Sequence, residues 1–406
     1  MQYFLLHRII KVPNHVSKMD RTNPPATERS HHFREKKLMA TTLKTYLDNL
    51  TPWNFSGTRK PSAAKKINLA LQGGGSHGAF TWGVLDHFLA DGRLEITGIS
   101  GASAGAMNAV MLADGLTRGG PEEARKRLAA FWRATSTGGD LPPVQRAMTD
   151  RMFSMMPFAA SPIQNWFEAM AHYFSPYELN PLNINPLSHL IERLVDFDAL
   201  CANTDLALYI STTNVHTGRL RIFANEKITA DVVMASAALP FMFRAVEIDG
   251  VPYWDGGYMG NPAIFPFLQA TDAEDVLVVQ INPVSRATTP KTSGEIINRL
   301  NEITFNSALI SELRTMDFVN QLIDDGRLPR GTGKDQYRRL NIHRIDLGGL
   351  GTRLAASSKM KTDYEFFEVL HRAGKRAAKK FLDTHFDDIG CRSTIDLAAE
   401  SGVEWA

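Results

Sequence analysis

A serine stands between two glycines where an apolar segment passes into a helix-forming one. The stretch "ITGISGASAGAMNAV" (96–110) contains Gly101, Ser103 and Gly105 in the pattern Gly-x-Ser-x-Gly. This strand–turn–helix context is typical of a nucleophile elbow, in which small neighbours allow a strained turn that exposes the serine hydroxyl. The same small residues would also suit tight packing of a helix on a strand. Ser103 is therefore the candidate nucleophile, and its role depends on the groups that accompany it.

A second group of glycines follows the apolar run "INLALQ" (67–72). The segment "GGGSHG" contributes Gly73, Gly74, Gly75 and Gly78. Their spacing also fits a dinucleotide fingerprint, which needs an acid about 20 residues on, at the end of the next strand. Glu95 has that offset, but it lies at the start of its strand rather than at the end, which argues against a dinucleotide site. The glycines are better explained as a cradle of backbone N–H groups for an anion, which in acyl transfer is the oxyanion of the tetrahedral intermediate.

A serine nucleophile needs a base, and a carboxylate is the best candidate here. In α/β-hydrolases an acid and then a histidine follow the serine. The later histidines stand without a glycine or acid signature and are interpreted as core or surface residues: His343, His371 and His385. Asp255 precedes Gly256 and Gly257, which either form a simple turn or let backbone approach closely. A desolvated carboxylate with a raised pKa can take the serine proton directly.

The segments around these residues alternate between strands and helices, as in an α/β fold. A helix stopped by Gly92 follows the glycine loop, and a helix from Ala104 to Ala113, ended by Asp114-Gly115, follows the serine. Asp249-Gly250 predicts a hairpin turn. Further strands are predicted within 93–100, 206–215, 218–223, 275–283 and 338–348, and further helices within 121–134, 230–239, 294–325 and 363–382.

Three motifs in this order, "GGGSHG", "GASAG" and "DGG", resemble the patatin-like phospholipases, and 234–263 is similar to that family's segment around the dyad aspartate. The resemblance covers roughly residues 67–285 and extends towards 385. It implies a three-layer α/β/α fold with a central, mostly parallel sheet and a nucleophile elbow. It also implies lipid acyl hydrolysis by a Ser–Asp dyad without metal or cofactor. His77 stands where the family often has Arg or Lys, a departure that bears on substrate preference.

Composition narrows the class of protein. The 406 residues are 44% hydrophobic, enough for a large core, and carry a formal net charge of +2, which gives no electrostatic footprint for nucleic acid. Two cysteines, Cys201 and Cys391, favour a reducing compartment. No uncharged apolar run reaches the roughly 18 to 20 residues of a membrane span. We therefore expect a cytoplasmic protein, either free or in peripheral contact with a membrane.

The predicted organisation places a hydrolase domain between two flanking segments. Residues 1–38 are predicted to be a mostly disordered extension, residues 39–66 an N-terminal segment, and 386–406 a C-terminal tail, with the domain over 67–385. Within it, 138–190 is rich in Met, Phe, Trp and Pro. This stretch is interpreted either as an irregularly packed part of the core or as a mobile apolar cap over an apolar substrate.

The last strong helical pattern, within 363–382, is basic and amphipathic. It either lies on anionic lipid or packs its apolar face on the domain and leaves basic residues to solvent. The residues predicted on its apolar face are Phe366, Leu370, Ala373, Ala377 and Phe381.

The sequence thus predicts a lipid acyl hydrolase, of the phospholipase A, lysophospholipase or esterase type, that acts on a lipid or other acyl ester. Two alternatives from other classes stay open at this point. One is a non-catalytic lipid-binding or storage protein, and the other is a dinucleotide-binding oxidoreductase. The physiological ester and the oligomeric state are left undetermined.

Overall fold

The chain builds its central sheet from short apolar runs that are buried on both faces, as parallel strands usually are. The computed structural model describes residues 64–137, 175–180, 183, 185–240, 242–331, 336–354 and 356–401. In this part of the chain eight strands form one sheet. They are β1 (Lys65–Leu71), β2 (Leu94–Gly101), β3 (Ala207–Asn214), β4 (Leu220–Ala224), β5 (Val246–Ile248), β6 (Val251–Asp255), β7 (Asp275–Gln280) and β8 (Asn341–Asp346).

The sheet is mostly parallel. Its strand order is β5-β6-β3-β2-β1-β7-β8, with β4 paired to β3 outside this path. The five strands from β3 to β8 in that order are parallel to one another. The hairpin β5–β6 turns at Asp249-Gly250, both at positive φ, and β6 runs antiparallel to β3. The carboxyl ends of the parallel strands therefore meet at one edge, where ligands of α/β sheets bind.

Helices of very different lengths connect and cover the strands. They are α1 (Gly78–Asp91), α2 (Ala104–Ala134), α3 (Pro176–Leu179), α4 (Pro186–Leu194), α5 (Phe197–Ala202), α6 (Ala230–Ser236), α7 (Phe267–Ala270), α8 (Ser293–Asp324), α9 (Gly349–Arg353), α10 (Tyr364–His385) and α11 (Leu397–Ser401). Short 3-10 turns cover Gly75–His77, Asn225–Lys227, Gly256–Tyr258, Ala356–Met360 and Phe386–Asp388.

Two apolar clusters lie on opposite faces of the sheet. Leu69 and Leu71 of β1 join the larger cluster with α1, α2, α6 and α10. Ala70, between them, joins the smaller cluster with α7, α8 and α11. This alternation is the two-residue period of a strand covered on both sides. It confirms the predicted three-layer α/β/α arrangement.

The helix after Ser103 is longer than predicted. Asp114 and Gly115 do not end it; the helix runs on to a kink at Gly120, at φ 74°, and the second half of α2 follows from Pro121 to Ala134, where the sequence predicts a further helix. Asp114 is buried, and its carboxylate accepts a hydrogen bond from the Asp196 amide at 2.9 Å. Gly115 packs directly against the Ala124 backbone, where a side chain would not fit. The Asp-Gly pair thus allows the second half of α2 to pack back on the first.

The basic helix α10 packs on α1. Its buried residues are Tyr364, Phe367, Leu370, Gly374, Ala378, Phe381 and Leu382. Leu370 and Phe381 of the predicted face are buried, and its other members, Phe366, Ala373 and Ala377, are partly buried against the same core. The buried face is wider than predicted, because it also includes Phe367, Gly374 and Ala378. Gly374 allows the close approach, because a Cβ there would overlap the Phe80 carbonyl. The apolar face of α10 is therefore covered by protein.

The flanking segments are described only in part. The predicted extension 1–38 and most of 39–66 lie outside the described residues, as do 138–174 of the predicted cap. After residue 385 the chain continues to pack on the domain: Ile389 and Leu397 are buried, and Arg344 pairs with Glu400 at 2.5 Å. Within the described part of the chain, none of the helices combines the length and apolar character needed to cross a bilayer.

Candidate active site

Ser103 occupies a sharp turn between β2 and α2. Its backbone has φ 54° and ψ −123°, a conformation that non-glycine residues adopt only under strain. The turn is held by the Ser103 amide, which donates to Oγ of Ser236 at 3.0 Å, and by the Ser103 carbonyl, which accepts from Met107 at 3.1 Å. The first turn of α2 therefore begins directly behind the serine, with its positive N-terminal end towards the hydroxyl.

The glycines of the elbow are explained by close backbone approaches. A Cβ on Gly105 would overlap the Leu71 carbonyl, and one on Gly101 would lie 2.6 Å from the Gly105 carbonyl oxygen. A Cβ on Gly73 would lie 2.6 Å from the Ser103 Cβ. The glycine loop and the elbow are thus in direct contact.

Asp255 ends β6 on the other side of β3. In the strand register Gly101 lies opposite Ile210, and Asp255 lies opposite Thr212. Ser103, two residues beyond Gly101, therefore reaches the same level of β3 as Asp255. Gly256 packs against the Ser211 carbonyl, and the Gly257 amide donates to Oδ1 of Asp255 at 2.7 Å.

The carboxyl of Asp255 is fully buried. Burial raises its pKa to about 7, an effect that the Gly257 amide and the Ser103 hydroxyl reduce by hydrogen bonding. Among the described residues no group satisfies Oδ2 with full hydrogen-bond geometry. Ser103 is the side chain that approaches this carboxyl, so it can lose its proton to Asp255.

The amides of the glycine loop differ in their availability. The Gly73 amide donates to Oδ1 of Asn261 at 2.6 Å, and the Gly78 amide donates to the Gly75 and Ser76 carbonyls. The amides of Gly74 and Gly75 have no acceptor among the described residues. Gly75 has φ +59°, a conformation favoured by glycine. Among the four glycines of the loop, the free amides are therefore those of Gly74 and Gly75, while Gly73 and Gly78 shape the loop.

Buried amide side chains hold the loop in place. Oε1 of Gln72 accepts from the Ile281 and Asn282 amides, each at 2.8 Å. Nδ2 of Asn282 donates to the Gly73 carbonyl at 2.7 Å. The start of the loop is thus bound to the segment that follows β7 through the Gln72 side chain and the Gly73 carbonyl. Such satisfied networks rigidify a site.

Sequence reasoning missed these supporting residues. Ser236 and Asn261 lie within segments that carry the family resemblance, but they have no signature of their own. Gln72 ends an apolar run, where a polar residue can be taken as the end of a strand. Asn282 and Lys359 are far from the motifs in sequence, and only the tertiary fold brings them to the loop.

The histidines after Ser103 have other partners. His343 is fully buried, and its Nε2 lies 2.9 Å from Oδ1 of Asp275. Because Asp275 begins β7, this pair lies towards the amino edge of the parallel strands, opposite the elbow. His371 lies 3.0 Å from Oδ2 of Asp86 on α1, and His385 pairs with Asp388 at 2.8 Å. The predicted structural interpretation of all three therefore fits their surroundings.

His77 is the remaining unusual residue of the loop. Its ring is buried, and Nε2 lies 2.7 Å from Oγ of Ser358. Burial and the nearby charge of Lys359 lower its pKa to about 3. His77 is therefore neutral at physiological pH and supplies no positive charge to the loop.

Comparisons with known proteins agree with these observations. Residues 69–270 match the family described as patatin-like phospholipase, a region that runs from β1 to α7 and includes the glycine loop, Ser103 and Asp255. No curated protein matches the chain significantly. VipD from Legionella pneumophila is similar in structure, with 15% identity and a TM-score of 0.35, over 80% of this chain and 67% of that one.

A chain of the heterodimeric ExoU–SpcU complex from the type III secretion system of Pseudomonas aeruginosa is also similar, with 15% identity and a TM-score of 0.35. The match covers 80% of this chain and 53% of that chain, so the chain spans about half of that relative's length. From the match over residues 69–270, the chain belongs to the patatin-like phospholipase family, a family of lipid acyl hydrolases.

Proposed function

We propose that the chain cleaves carboxylic esters of lipids with Ser103 as nucleophile and Asp255 as general base. The single observation that carries this proposal is the approach of a strained serine to a buried carboxyl across β3. A pKa of about 7 for Asp255 supports it, because a general base works best when its pKa lies near the operating pH. No histidine is needed in this scheme.

The first half of the reaction acylates the enzyme. Oγ of Ser103 attacks the ester carbonyl carbon, and its proton passes to Asp255. The carbonyl oxygen becomes an oxyanion, which the amides of Gly74 and Gly75 and the N-terminus of α2 stabilise. When the tetrahedral intermediate collapses, the C–O bond to the leaving alcohol breaks. The alcohol takes the proton from Asp255, and the acyl group stays on Ser103.

The second half releases the acid. Asp255, ionised again, takes a proton from a water molecule that attacks the acyl carbon. The second oxyanion is bound by the same amides. Its collapse breaks the bond to Oγ, which recovers the proton from Asp255, and the fatty acid leaves. Each half thus uses one carboxyl in both protonation states, which a group with a pKa near 7 can provide.

The proposal requires no metal. The oxyanion donors are backbone amides, and hydrolysis by the purified enzyme is expected to continue in EDTA. Loss of activity in EDTA that added calcium restores would contradict this. A lipid ester as substrate requires contact with a membrane or another lipid aggregate, in line with the peripheral contact expected from the sequence.

Labelling with a fluorophosphonate tests the proposal directly. The wild type should be labelled at Ser103 and Ser103→Ala should not, because the probe needs an activated serine. Unlabelled wild-type enzyme should then be profiled on phospholipid, lysophospholipid and neutral-lipid esters. A folded wild type that neither reacts with the probe nor hydrolyses any of these esters would instead support a non-catalytic lipid-binding or storage role.

A further inference from the structure

The Gly73–Gly74 peptide is held by a chain of two hydrogen bonds that starts at Lys359. Nζ of Lys359 donates to Oδ1 of Asn282 at 2.5 Å. Nδ2 of Asn282 then donates to the Gly73 carbonyl at 2.7 Å. Asn282 is 1% exposed, so solvent does not replace either bond. Lys359 is thus connected to the Gly73–Gly74 peptide of the glycine loop through one side chain.

The ammonium group fixes which way the Asn282 amide points. An ammonium is a donor only, whereas an asparagine side chain offers an acceptor at one end and donors at the other. A protonated Lys359 therefore holds Oδ1 of Asn282 towards itself and leaves Nδ2 to face the Gly73 carbonyl. A neutral residue at 359 would remove this constraint.

The orientation of the Gly73 carbonyl sets the direction of the Gly74 amide. Both groups belong to one planar peptide and point in opposite directions. Glycines on both sides of this peptide allow it to turn over easily. A hydrogen bond to its carbonyl therefore both fixes the Gly74 N–H and polarises it, because linked hydrogen bonds strengthen one another.

Lys359 also brings a positive charge close to a loop that has none of its own. His77, the titratable residue of the loop, is neutral. The Lys359 carbonyl lies 2.5 Å from the position that a Cβ on Gly75 would occupy, so its segment packs directly on the loop. Nζ lies 5.8 Å from the centre of the Phe305 ring, which in turn packs against Gly257 beside Asp255.

We propose that Lys359 is a positioning residue for the oxyanion hole, which acts through Asn282 to keep the Gly74 N–H directed at the oxyanion. This inference rests on the proposed ester hydrolysis. It concerns kcat rather than substrate affinity, because the oxyanion forms only after attack. The relevant test therefore measures both constants on a soluble short-chain p-nitrophenyl ester, with the concentration of active enzyme determined by fluorophosphonate titration.

The central comparison is between Lys359→Met and Lys361→Met. Lys361 lies in the same segment, but its Nζ contacts the Phe366 ring, 5.4 Å from its centre, and takes no part in the relay. Lys359→Met should lower kcat about 10- to 100-fold with KM within about threefold, somewhat less than the loss of a whole oxyanion donor. Lys361→Met should stay within about twofold of the wild type.

Asn282→Asp separates the relay from the mere presence of a charge. The carboxylate can still pair with Lys359, but it has no donor for the Gly73 carbonyl. It should therefore lose at least as much kcat as Lys359→Met. The double variant should lose little more than either single variant, since both remove the same relay. A structural role alone would lower the thermal midpoint and the active fraction but not kcat per active site.

The pH dependence gives a second readout. Burial and Arg286 lower the pKa of Lys359 to about 8, while Glu302 raises it. The charged groups around it are Glu302 and Arg299 on α8 and Arg286 after β7, and the neutral imidazole of His77 also lies nearby. Above pH 8 the wild-type kcat should fall as Lys359 loses its proton, because a neutral amine can accept a hydrogen bond and lets Asn282 turn over. Lys359→Arg should keep its kcat through this range.

The outcomes separate the two proposals. A wild type that is neither labelled nor active overturns the ester hydrolysis, and with it this inference. A labelled and active wild type whose Lys359→Met variant matches Lys361→Met in kcat overturns the inference alone. So does an alkaline loss of kcat that persists unchanged in Lys359→Arg. If Lys359→Met does not fold, the kcat of Asn282→Asp and the pH profile of Lys359→Arg test the inference in its place.

Discussion

Ser103 and Asp255 flank strand β3 at the same level, although they are 152 positions apart in the sequence. The register places Gly101 opposite Ile210 and Asp255 opposite Thr212, so the two side chains meet beyond the carboxyl end of β2. In the proposed mechanism this pair acts without an intervening imidazole. The following predictions depend on this relationship.

Removing either member of the pair should abolish most turnover. Ser103→Ala and Asp255→Asn should each lower kcat on the order of 10³-fold or more, as expected for loss of a nucleophile or its base. The double variant should be little worse than either single one, because residues that act as a unit are not additive. Steady-state kinetics of the three folded variants test this, and independent, multiplicative losses would contradict a dyad.

The rate should depend on the protonation state of Asp255. Burial raises its pKa to about 7, and only the ionised form can take the serine proton. The rate should therefore rise with pH through about 7 and fall below it as the carboxyl becomes protonated. A pH–rate profile on a soluble ester measures this limb. A rate that stays constant from neutral pH down to pH 5 would show that the base has an ordinary carboxylate pKa.

The strands and the sharp turn at Ser103 follow from local sequence, because both are encoded by neighbouring residues. The apolar runs "INLALQ" and "DVLVVQ" are typical of strands that are buried on both faces. The glycines around Ser103 indicate a tight turn. The patatin-like resemblance and the three-layer fold, predicted from these segments, are confirmed by the family match and by the sheet. Residue types and short spacings were sufficient for this part.

The end of the helix after Ser103 could not be predicted, because Asp-Gly is ambiguous locally. It can end a helix, but Asp114 accepts a hydrogen bond from the Asp196 amide, and Gly115 allows Ala124 to approach. The relay of Lys359 and Asn282 was equally inaccessible. Neither residue has a pattern of its own, and their contacts with Gly73 exist only after distant segments have packed together.

Burial of the Asp255 carboxyl should destabilise the folded protein at pH values above its raised pKa. Its pKa rises from the ordinary 3.8 to about 7 on folding, so the folded state favours the protonated form. Between these values the unfolded chain has already lost the proton that the folded chain keeps, and wild-type stability falls as pH rises. Asp255→Asn, which has no such proton, should therefore be more stable than the wild type at pH 8, by on the order of 1–4 kcal/mol.

Urea unfolding at pH 8 and pH 5 measures this difference. The advantage of Asp255→Asn should shrink at pH 5, where the wild-type carboxyl is mostly protonated in the folded state. Other titrating groups are common to both proteins and cancel in the comparison. An advantage that is absent at pH 8, or equal at the two pH values, would show that burial of Asp255 does not destabilise the fold.

The strained backbone conformation of Ser103 should lower the free energy of unfolding. Ser103 has φ 54° and ψ −123°, a conformation that costs a side-chain-bearing residue about 1–3 kcal/mol. Ser103→Gly should therefore be more stable than Ser103→Ala, by about 1 kcal/mol. The matched control is Ala130→Gly at an exposed position within α2, where the same exchange should destabilise by about 1 kcal/mol. Chemical denaturation of the variants tests both signs, and a Ser103→Gly variant less stable than Ser103→Ala would mean that the turn is not strained.

Finally, the histidines should be dispensable for chemistry. His343 is bonded to Asp275 towards the amino edge of the sheet, and His371 is bonded to Asp86 between α1 and α10, so neither faces Ser103. Their replacement by Gln, and that of His385, should leave kcat per active site within about tenfold of the wild type, since only indirect packing effects are expected. His343→Gln should in addition lower the thermal midpoint, because it disturbs a fully buried pair. Fluorophosphonate titration of one sample gives the concentration of active sites. Kinetics on untreated enzyme, expressed per active site, then separate a change in kcat from a loss of stability. If one folded histidine variant loses as much kcat as Asp255→Asn, that histidine is the base, and the enzyme uses a Ser–His–Asp triad.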